Sequence, residues 1–359
     1  MSSGALKLTT YFGERERHEK TLLADALFDV YERHQLQISV LLRGIQGFGL
    51  TQQLRTDRLL TLSEDLPAVS IAIDTRERIE AALADVIEIK RRGLLTLERT
   101  RMLSEESAQL DIPAGSDDAV KLTLYVGRHA RVDGKPAFLA ACEQLHRAGV
   151  AGASVLLGVD GSTGGTRNRA RLLARNRNTP LMVVAVGSTA AIGAALPELR
   201  RMLDNPPATL ERARVCKRDG ILLATPHELP GADQHGLPLW QKLTIVTSEA
   251  ARHNGRAAHL ELVRRLRSAK AAGATSMRGI WGFHGDHTPH GDKLLAVRRH
   301  VPVLTVTVDT PERTARTFPI VDELTNGGGL VISEIVPALS ALVDGEPRRQ
   351  PHLAQNLRL

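Results

Sequence analysis

The chain repeats one pattern of residues three times along its length. Lys-Leu-Thr begins each copy, at Lys7, Lys121 and Lys242. A glycine follows each lysine after 37 positions and another after 40, at Gly44 and Gly47, Gly158 and Gly161, and Gly279 and Gly282. A glutamate marks the end of each copy, at Glu98, Glu211 and Glu334. An interval of roughly 115 to 120 residues is the size of a domain, so the pattern predicts three tandem domains and not a solenoid.

Two segments rich in Pro, Gly, Asp and Ser separate the copies, over residues 104–119 and 219–239. Segments of this composition typically bound domains. We therefore predict domains over residues 1–103, 120–218 and 240–343, with the tail from Asp344 outside them.

The predicted elements follow the same order in each copy. In the first copy they are a strand over Leu6–Phe12, a helix over Glu19–His34, a strand over Ile38–Arg43, a strand over Ala68–Asp74, a helix from Thr75 to Arg91 and a strand over Leu94–Thr100. We expect Thr75 to cap the second helix and Gly93 to end it. The order β-α-β-β-α-β is that of the ferredoxin-like unit, an antiparallel sheet with both helices on one face.

One such sheet leaves its other face apolar and uncovered. Three copies that pack sheet against sheet about a pseudo-threefold axis would bury all three faces. The sequence therefore predicts an α+β chain of three tandem ferredoxin-like domains that form an intramolecular pseudo-trimer. In solution we expect a monomer or a dimer of pseudo-trimers.

Composition excludes several classes of protein. A hydrophobic content of 42% and a net charge of +7 exclude a disordered chain, and two cysteines exclude a disulfide scaffold. No apolar run approaches the roughly 18 residues of a membrane span, and the first residues lack the apolar segment of a signal peptide. We therefore expect a cytoplasmic protein. Aromatic residues make up only 3%, which disfavours a nucleic-acid partner because stacking platforms need them.

The motifs of the first copy resemble a known family. Gly44-Ile45-Gln46-Gly47-Phe48-Gly49, followed by Leu59 to Pro67 with Ser63-Glu64-Asp65, is similar to the uncharacterised, domain-of-unknown-function family of the PII-like superfamily. The third copy keeps Arg278 to Phe283 but has lost the Ser-Glu-Asp segment. The second copy keeps the two loop glycines and a Gly134-Lys135-Pro136 that is similar to a family motif near the first helix.

The resemblance implies a fold and a function. PII-like proteins are usually ferredoxin-like homotrimers that bind small effectors, often adenine nucleotides, in the clefts between subunits. The loop between their second and third strands serves as an arm that contacts a partner. The resemblance thus implies that this chain is a fused trimer, that its ligand is a small-molecule effector such as an adenine nucleotide, and that its partner is a membrane transport protein.

The loop after the second strand of the first copy carries the fullest motif, so we predict a ligand site there. The candidate residues are Gly44, Gly47, Gly49, Arg55, Arg58, Ser63, Glu64 and Asp65. Glycines let backbone N–H groups converge on an anion, and arginine binds phosphate through two hydrogen bonds. Gly134 and Lys135 of the second copy are expected to complete a cleft. The alternative is a hairpin that needs glycines for its own geometry.

The corresponding loops of the other copies are more diverged. In the second copy Gly161, Gly164 and Arg167 precede further arginines, without the Gly-Lys-Ser/Thr ending of a P-loop. This loop is either a phosphate cradle, a solvated arm, or an arm that docks an acidic partner or RNA. In the third copy Gly279 and Gly282 precede His284, Asp286, His287 and His290, which are candidate ligands of Zn²⁺, with Mg²⁺ also left open. The alternative there is a polar loop without metal.

Three functions remain open from the sequence. The first is a non-enzymatic regulatory protein that binds a small anionic effector, such as a nucleotide, and switches its loop arms. The second is an enzyme, either a nucleotide hydrolase or a metal-dependent hydrolase that uses the histidine loop. The third is a nucleic-acid-binding or scaffolding protein. No nucleophile-base arrangement or carboxylate pair recurs in all three copies, so we do not expect a catalytic site common to them.

Overall fold

A computed structural model describes residues 4–57, 65–90, 93–103, 119–163, 179–232, 236, 238–284, 290–291, 301–343 and 346–348. Its elements follow the three copies, which we call repeats one, two and three. Repeat one contains β1 Ala5–Gly13, β2 Arg17–His18, β3 Thr21–Leu22, α1 Leu23–Arg33, β4 Ile38–Arg43, β5 Gln46–Phe48, β6 Arg55–Thr56, β7 Pro67–Thr75, α2 Arg76–Ile89 and β8 Gly93–Met102. Repeat two contains β9 Ala119–Gly127, β10 Arg131–Val132, β11 Lys135–Pro136, α3 Ala137–Arg147, β12 Gly152–Thr163, β13 Pro180–Gly187, α4 Thr189–Met202, β14 Ala208–Arg218 and β15 Ile221–Leu222. Repeat three contains β16 Trp240–Ser248, β17 Arg252–His253, β18 Arg256–Ala257, α5 Ala258–Ser268, β19 Ala274–Arg278, β20 Trp281–His284, β21 His290–Gly291, β22 Pro302–Asp309, α6 Pro311–Leu324, β23 Leu330–Val336, β24 Ala338–Val343 and β25 Glu346–Arg348.

The four long strands of each repeat pair in the same antiparallel order. In repeat one the order is β4-β7-β1-β8, in repeat two β12-β13-β9-β14, and in repeat three β19-β22-β16-β23. The first strand is therefore central in every repeat, beside the third and the fourth. This position explains why the residues of β1, β9 and β16 are almost all buried.

Each repeat has its own apolar core between the sheet and its two helices. In repeat one the stripe of Leu23, Leu27 and Val30 on α1 packs with Ile79 and Val86 of α2 against the sheet. The spacing of three and four residues puts these side chains on one face of each helix. Equivalent cores lie under the helices of repeats two and three.

A fourth core joins the three repeats. It contains Ile38, Val40 and Ile71 of repeat one, with Tyr125 and Met182 of repeat two and residues of repeat three that include Val246, Leu304 and Ile332. These side chains come from the sheet faces opposite the helices, because neighbouring residues of a strand point to opposite faces. The apolar faces that the sequence left uncovered are thus buried against one another.

Strands also pair across the boundaries between repeats. The fourth strands form one series, in which β8 pairs with β14, β14 with β23, and β24 with β8. The segments after the second strands form another, in which β5 pairs with β19, β20 with β12, and the end of β12 with β4. In both series the pairing runs through all three repeats and returns to its start.

Some predicted boundaries of helices were wrong. The first helix begins at Leu23 and not at Glu19, because residues 17–22 form the small hairpin of β2 and β3, and Glu19 has a left-handed φ of 52°. Thr75 stands at the N-cap of α2 without a hydrogen bond from its side chain to the helix, whereas Ser188 and Thr310 make that bond in the other repeats. Gly93 opens β8 instead of ending the helix, whose C-cap is Lys90.

No helix in the described ranges combines the length and the apolar character needed to cross a membrane.

Candidate functional site

Six charged side chains meet where the three repeats join, and they form a closed ring. The ring consists of Lys7, Lys121, Lys242, Glu98, Glu211 and Glu334, all of them buried. Lys7 Nζ lies 2.7 Å from Glu211 and 3.0 Å from Glu98. Lys121 contacts Glu211 and Glu334, and Lys242 contacts Glu98 and, at 3.2 Å, Glu334. Lysines and glutamates therefore alternate, and each group has two partners of opposite charge.

At four of the six ring groups the attraction of opposite charges outweighs burial and favours the ionised form. Burial opposes the charge of Glu211, but the ammonium groups of Lys121 and Lys7 outweigh it and lower its pKa to about 2. The pKa of Glu98 is lowered in the same way by Lys242 and Lys7. The same attraction overcomes burial and raises the pKa of Lys7 and of Lys121. At Lys242 burial outweighs the attraction of Glu334 and Glu98 and lowers the pKa of that lysine.

The three glutamates of the ring have the donor atoms of a metal site. Their carboxylate oxygens lie within 4.8 Å of one another, and in the described part of the chain they form the one such group of three. Each carboxylate already contacts two ammonium groups, which supply the positive charge that a cation would bring. The ring is therefore a structural ion cluster.

The loop glycines lie at junctions between repeats. Gly47 pairs with Thr275 in repeat three, and a Cβ at Gly47 would lie 2.6 Å from the Ala274 carbonyl oxygen. Gly282 faces repeat two in the same way, with a Cβ 2.5 Å from the Ala153 carbonyl oxygen. The packing explains why glycine recurs at these positions, since any side chain would prevent the close approach of the two strands.

Close packing also excludes a side chain at three further glycines, Gly44, Gly279 and Gly161. The N–H groups of Gly44 and Gly279 donate to the carbonyl oxygens of Pro67 and Pro302, both at 2.7 Å. A Cβ at Gly161 would lie 2.4 Å from the Ser39 carbonyl oxygen of repeat one. The glycines are therefore needed for the contacts between strands and between repeats, as the alternative of a hairpin with its own geometric need for glycine proposes. A ligand role for them stays a prediction.

Three of the remaining candidates of repeat one lie within the described residues. Arg55 Nη2 lies 3.0 Å from Asp65 Oδ2, and the Arg15 N–H donates to Asp65 Oδ1 at 2.7 Å. Gly49 is exposed at the end of β5. Arg58, Ser63 and Glu64 lie outside the described residues. The structure thus brings Arg55 and Asp65 together, as part of one polar cluster.

Lys90, which the sequence analysis missed, lies close to this cluster. Its Nζ is buried, 3.7 Å from Glu16 Oε1 and 5.6 Å from the centre of the Phe12 ring, and among the described residues it has no hydrogen-bond partner within the usual distance. Burial lowers the pKa of Lys90 to about 8, against the attraction of Glu16. A lysine at the predicted end of a helix normally extends into solvent, so nothing in the sequence marked it.

Repeat two has an open cavity of about 420 Å³ beside the C-terminal end of α4. Its polar lining consists of Arg131, Thr163, Asp204 and Asn205. Its apolar lining includes Val126, Ala130, Val132, Met202, Leu203 and Pro206. The Tyr125 N–H donates to the Pro207 carbonyl oxygen at 2.9 Å, which holds the loop after α4 against the end of β9. The lining thus combines charged and polar groups with apolar side chains, and polar groups that fix the orientation of a ligand are a feature of small-molecule sites.

The predicted residues of repeat two that the structure describes lie close in sequence to this cavity, but they do not line it. Gly134, with a φ of 80°, makes the turn between β10 and β11, the hairpin from which Arg131 and Val132 line the cavity. Lys135 points to Glu143, 3.4 Å away. Gly161 lies two residues before Thr163, whereas Gly164 and Arg167 lie outside the described residues. In repeat one β5 pairs with β19 of repeat three. The cleft that Gly134 and Lys135 are expected to complete stays a prediction.

The predicted metal ligands of repeat three are described only in part. His284 Nδ1 lies 2.9 Å from Asp219 Oδ1, an atom of the turn after β14 in repeat two. Asp286 and His287 lie outside the described residues, and so does the side chain of His290. The metal site stays a prediction.

The sequence was compared with known proteins. The model of the family DUF190, described as "Uncharacterized ACR, COG1993", matches residues 5–102, 119–215 and 240–338. A UPF0166 protein of Aquifex aeolicus is 30% identical over 96 residues, which cover 27% of this chain and 90% of that protein. A mutant chlorite dismutase from Candidatus Nitrospira defluvii matches 58% of this chain and 92% of that chain, with 9% identity and a TM-score of 0.17, a value too low to support any inference.

Proposed function

Since the chain belongs to the DUF190 family, a PII-like family that it contains in three tandem copies, we propose that it is a regulatory protein that binds a small anionic effector. The effector class that fits the proposal is a nucleotide. The protein would act in the cytoplasm, and its partner would be a membrane transport protein.

The proposal includes an architecture. Each repeat is a ferredoxin-like unit, and the three units form an intramolecular pseudo-trimer. Three observations support it: the common strand order of the repeats, the two series of strand pairs that run through all of them, and the ring of three lysines and three glutamates. A single-repeat relative, such as the Aquifex protein, would need three chains to make the same ring.

The cavity of repeat two is the observation that carries the ligand proposal. Its volume of about 420 Å³ suits a small organic molecule. The guanidinium of Arg131 would bind an anionic group, and Thr163 and Asn205 offer a hydroxyl and an amide. The apolar side chains of Val126, Met202 and Leu203 in the lining would contact the apolar part of the effector.

The position of Thr163 links the cavity to the neighbouring repeat. Thr163 ends β12, whose last residues pair with β4 of repeat one, from Gly158 opposite Leu42 to Thr163 opposite Ile38. The loop between the second and third strands of repeat two follows directly in the sequence, with Gly164 and Arg167. An effector that binds one state of this loop better than another would shift the population of the loop by that difference in affinity.

Calorimetry with ATP, ADP and inorganic phosphate tests the proposal, with an unfolding assay as the second readout. A ligand at about 100 times its Kd stabilises a protein by about 2.7 kcal/mol, which raises the melting temperature measurably. We expect Arg131→Ala to weaken nucleotide binding at least tenfold. Arg147→Ala, an exposed arginine on α3 that does not line the cavity, is the matched control and should bind as the wild type does. Absence of binding by all three probes would refute the proposal.

A further inference from the structure

The cavity of repeat two and the surroundings of Lys90 in repeat one are the same place in two copies of the fold. Lys90 and Leu203 are the C-cap residues of α2 and α4, the second helices of their repeats. Lys7 and Lys121 occupy equivalent positions in the ring, so they align the first strand of repeat one with the first strand of repeat two. By the same spacing Phe12 corresponds to Val126, and Glu16 corresponds to Ala130.

In repeat one the chain's own side chains occupy this place. The Lys90 side chain is buried, with its Nζ against the face of the Phe12 ring and 3.7 Å from Glu16. The Nζ also reaches Gly93, where an added Cβ would lie only 2.9 Å from it. The buried cation thus lies between the aromatic face and a partly exposed carboxylate.

In repeat two the three corresponding residues are smaller, and they line open space. Val126, Ala130 and Leu203 replace Phe12, Glu16 and Lys90, and all three border the cavity. Neither Ala130 nor Leu203 carries charge, so the ion pair of repeat one has no counterpart there. The cavity exists in repeat two because its residues at these positions leave the volume unfilled.

We infer that Lys90, Glu16 and Phe12 fill the repeat-one cleft from within, so that of these two equivalent clefts only that of repeat two accepts an effector. The inference rests on the proposed function, since it assigns that effector to one cleft. It names Lys90 as an internal occupant of the cleft and not as a contact to the ligand. The buried Nζ finds its counter-charge in Glu16, where a ligand phosphate would otherwise supply it.

An exchange of residues between the repeats tests the inference, with ATP as the probe and calorimetric stoichiometry as the readout. The variant Phe12→Val/Glu16→Ala/Lys90→Leu gives repeat one the residues of repeat two and removes the ion pair as a unit. We expect it to bind one more equivalent of ATP than the wild type. The reverse variant Ala130→Glu/Leu203→Lys places the ion pair in repeat two and should lose one equivalent.

The outcomes separate the two proposals. If the wild type binds ATP but the repeat-one variant gains no site and the repeat-two variant loses none, the inference is wrong and the proposed function stands. If Lys90→Leu alone removes an equivalent of ATP from the wild type, Lys90 is a ligand contact, and the inference is wrong. If the wild type binds neither nucleotide nor phosphate, the proposed function is wrong, and the inference falls with it. Should the repeat-one variant not fold, the repeat-two variant decides the question by itself.

Discussion

The centre of the molecule is alike in all three repeats, whereas the clefts at the ends of the second helices differ. Every repeat contributes one lysine and one glutamate to the central ring, and each of these groups contacts two others. The C-cap residues of the second helices, by contrast, are Lys90, Leu203 and Thr325. A change in the ring affects all three repeats at once, while a change in a cleft affects one. The ring groups are therefore shared among the repeats, whereas each C-cap residue belongs to one repeat.

Removal of one ring carboxylate should give the largest effect. In Glu211→Ala the ammonium groups of Lys7 and Lys121 lose a buried counter-charge, and breaking a buried ion pair typically costs about 3–5 kcal/mol. Urea denaturation of the full chain measures this loss. The control is Glu198→Ala, an exposed glutamate paired with Arg201 on α4, for which we expect no measurable change. A Glu211→Ala protein as stable as the wild type would show that the ring carries no constraint.

Lys90 should give a smaller effect that depends on pH. Its folded pKa is lowered to about 8, against about 10.4 for an unperturbed lysine. Between these values the unfolded chain binds more protons than the folded one, so stability due to Lys90 rises with pH across that window, by up to about 3 kcal/mol. The pKa of Lys7 and of Lys121 is raised, so their contribution falls only as pH rises further.

Denaturation of the wild type and of Lys90→Met at pH 7.5 and pH 10 isolates the pH-dependent contribution of Lys90 to stability. The unfolding free energy of the wild type minus that of Lys90→Met should be larger at pH 10 than at pH 7.5. Lys135→Met, which alters an exposed lysine, serves as the control and should show no such shift. The same difference at both pH values would mean that Lys90 is not desolvated.

The loop glycines test the junctions between repeats. A Cβ in Gly47→Ala would meet the Ala274 carbonyl oxygen at 2.6 Å, and overpacking of this kind typically costs about 1–3 kcal/mol. The Cβ of Gly49→Ala, two residues away, would meet no atom of the described residues within 4 Å, and the variant should have nearly unchanged stability. Thermal denaturation compares the two variants. Equal melting temperatures would contradict the close approach of β5 and β19.

Part of this architecture could be predicted from the sequence. The spacing of Lys7, Lys121 and Lys242 established the three repeats, and alternation and helical stripes placed most strands and helices. The ring corresponds to a feature of the sequence: in every repeat a lysine recurs inside a strand of otherwise apolar alternation. Its partners could not be assigned, because Lys7 meets Glu211, 204 residues away, and a pattern of one chain segment does not encode that distance.

The glycines show where local pattern is ambiguous. A glycine pair after a strand fits an anion cradle as well as it fits two backbones that approach closely, because both need the absence of a Cβ. The motif predicts a ligand site at Gly44 and Gly47, and the structure places both glycines against repeat three, which explains their packing and leaves the ligand site a prediction. Which of the two uses applies depends on what lies opposite, which is a matter of tertiary packing.

Spacing and periodicity along the chain are enough to predict three repeats and the order of their main elements, and the motifs of repeat one carry the resemblance to the family. The closed ring of six charges, the contacts of the glycines with a neighbouring repeat and the open cavity of repeat two are visible only in the folded protein. The physical reason is that charge pairing and cavity volume depend on side chains far apart in sequence. Phe12, Glu16 and Lys90 fill a space together, and Val126, Ala130 and Leu203 leave it empty.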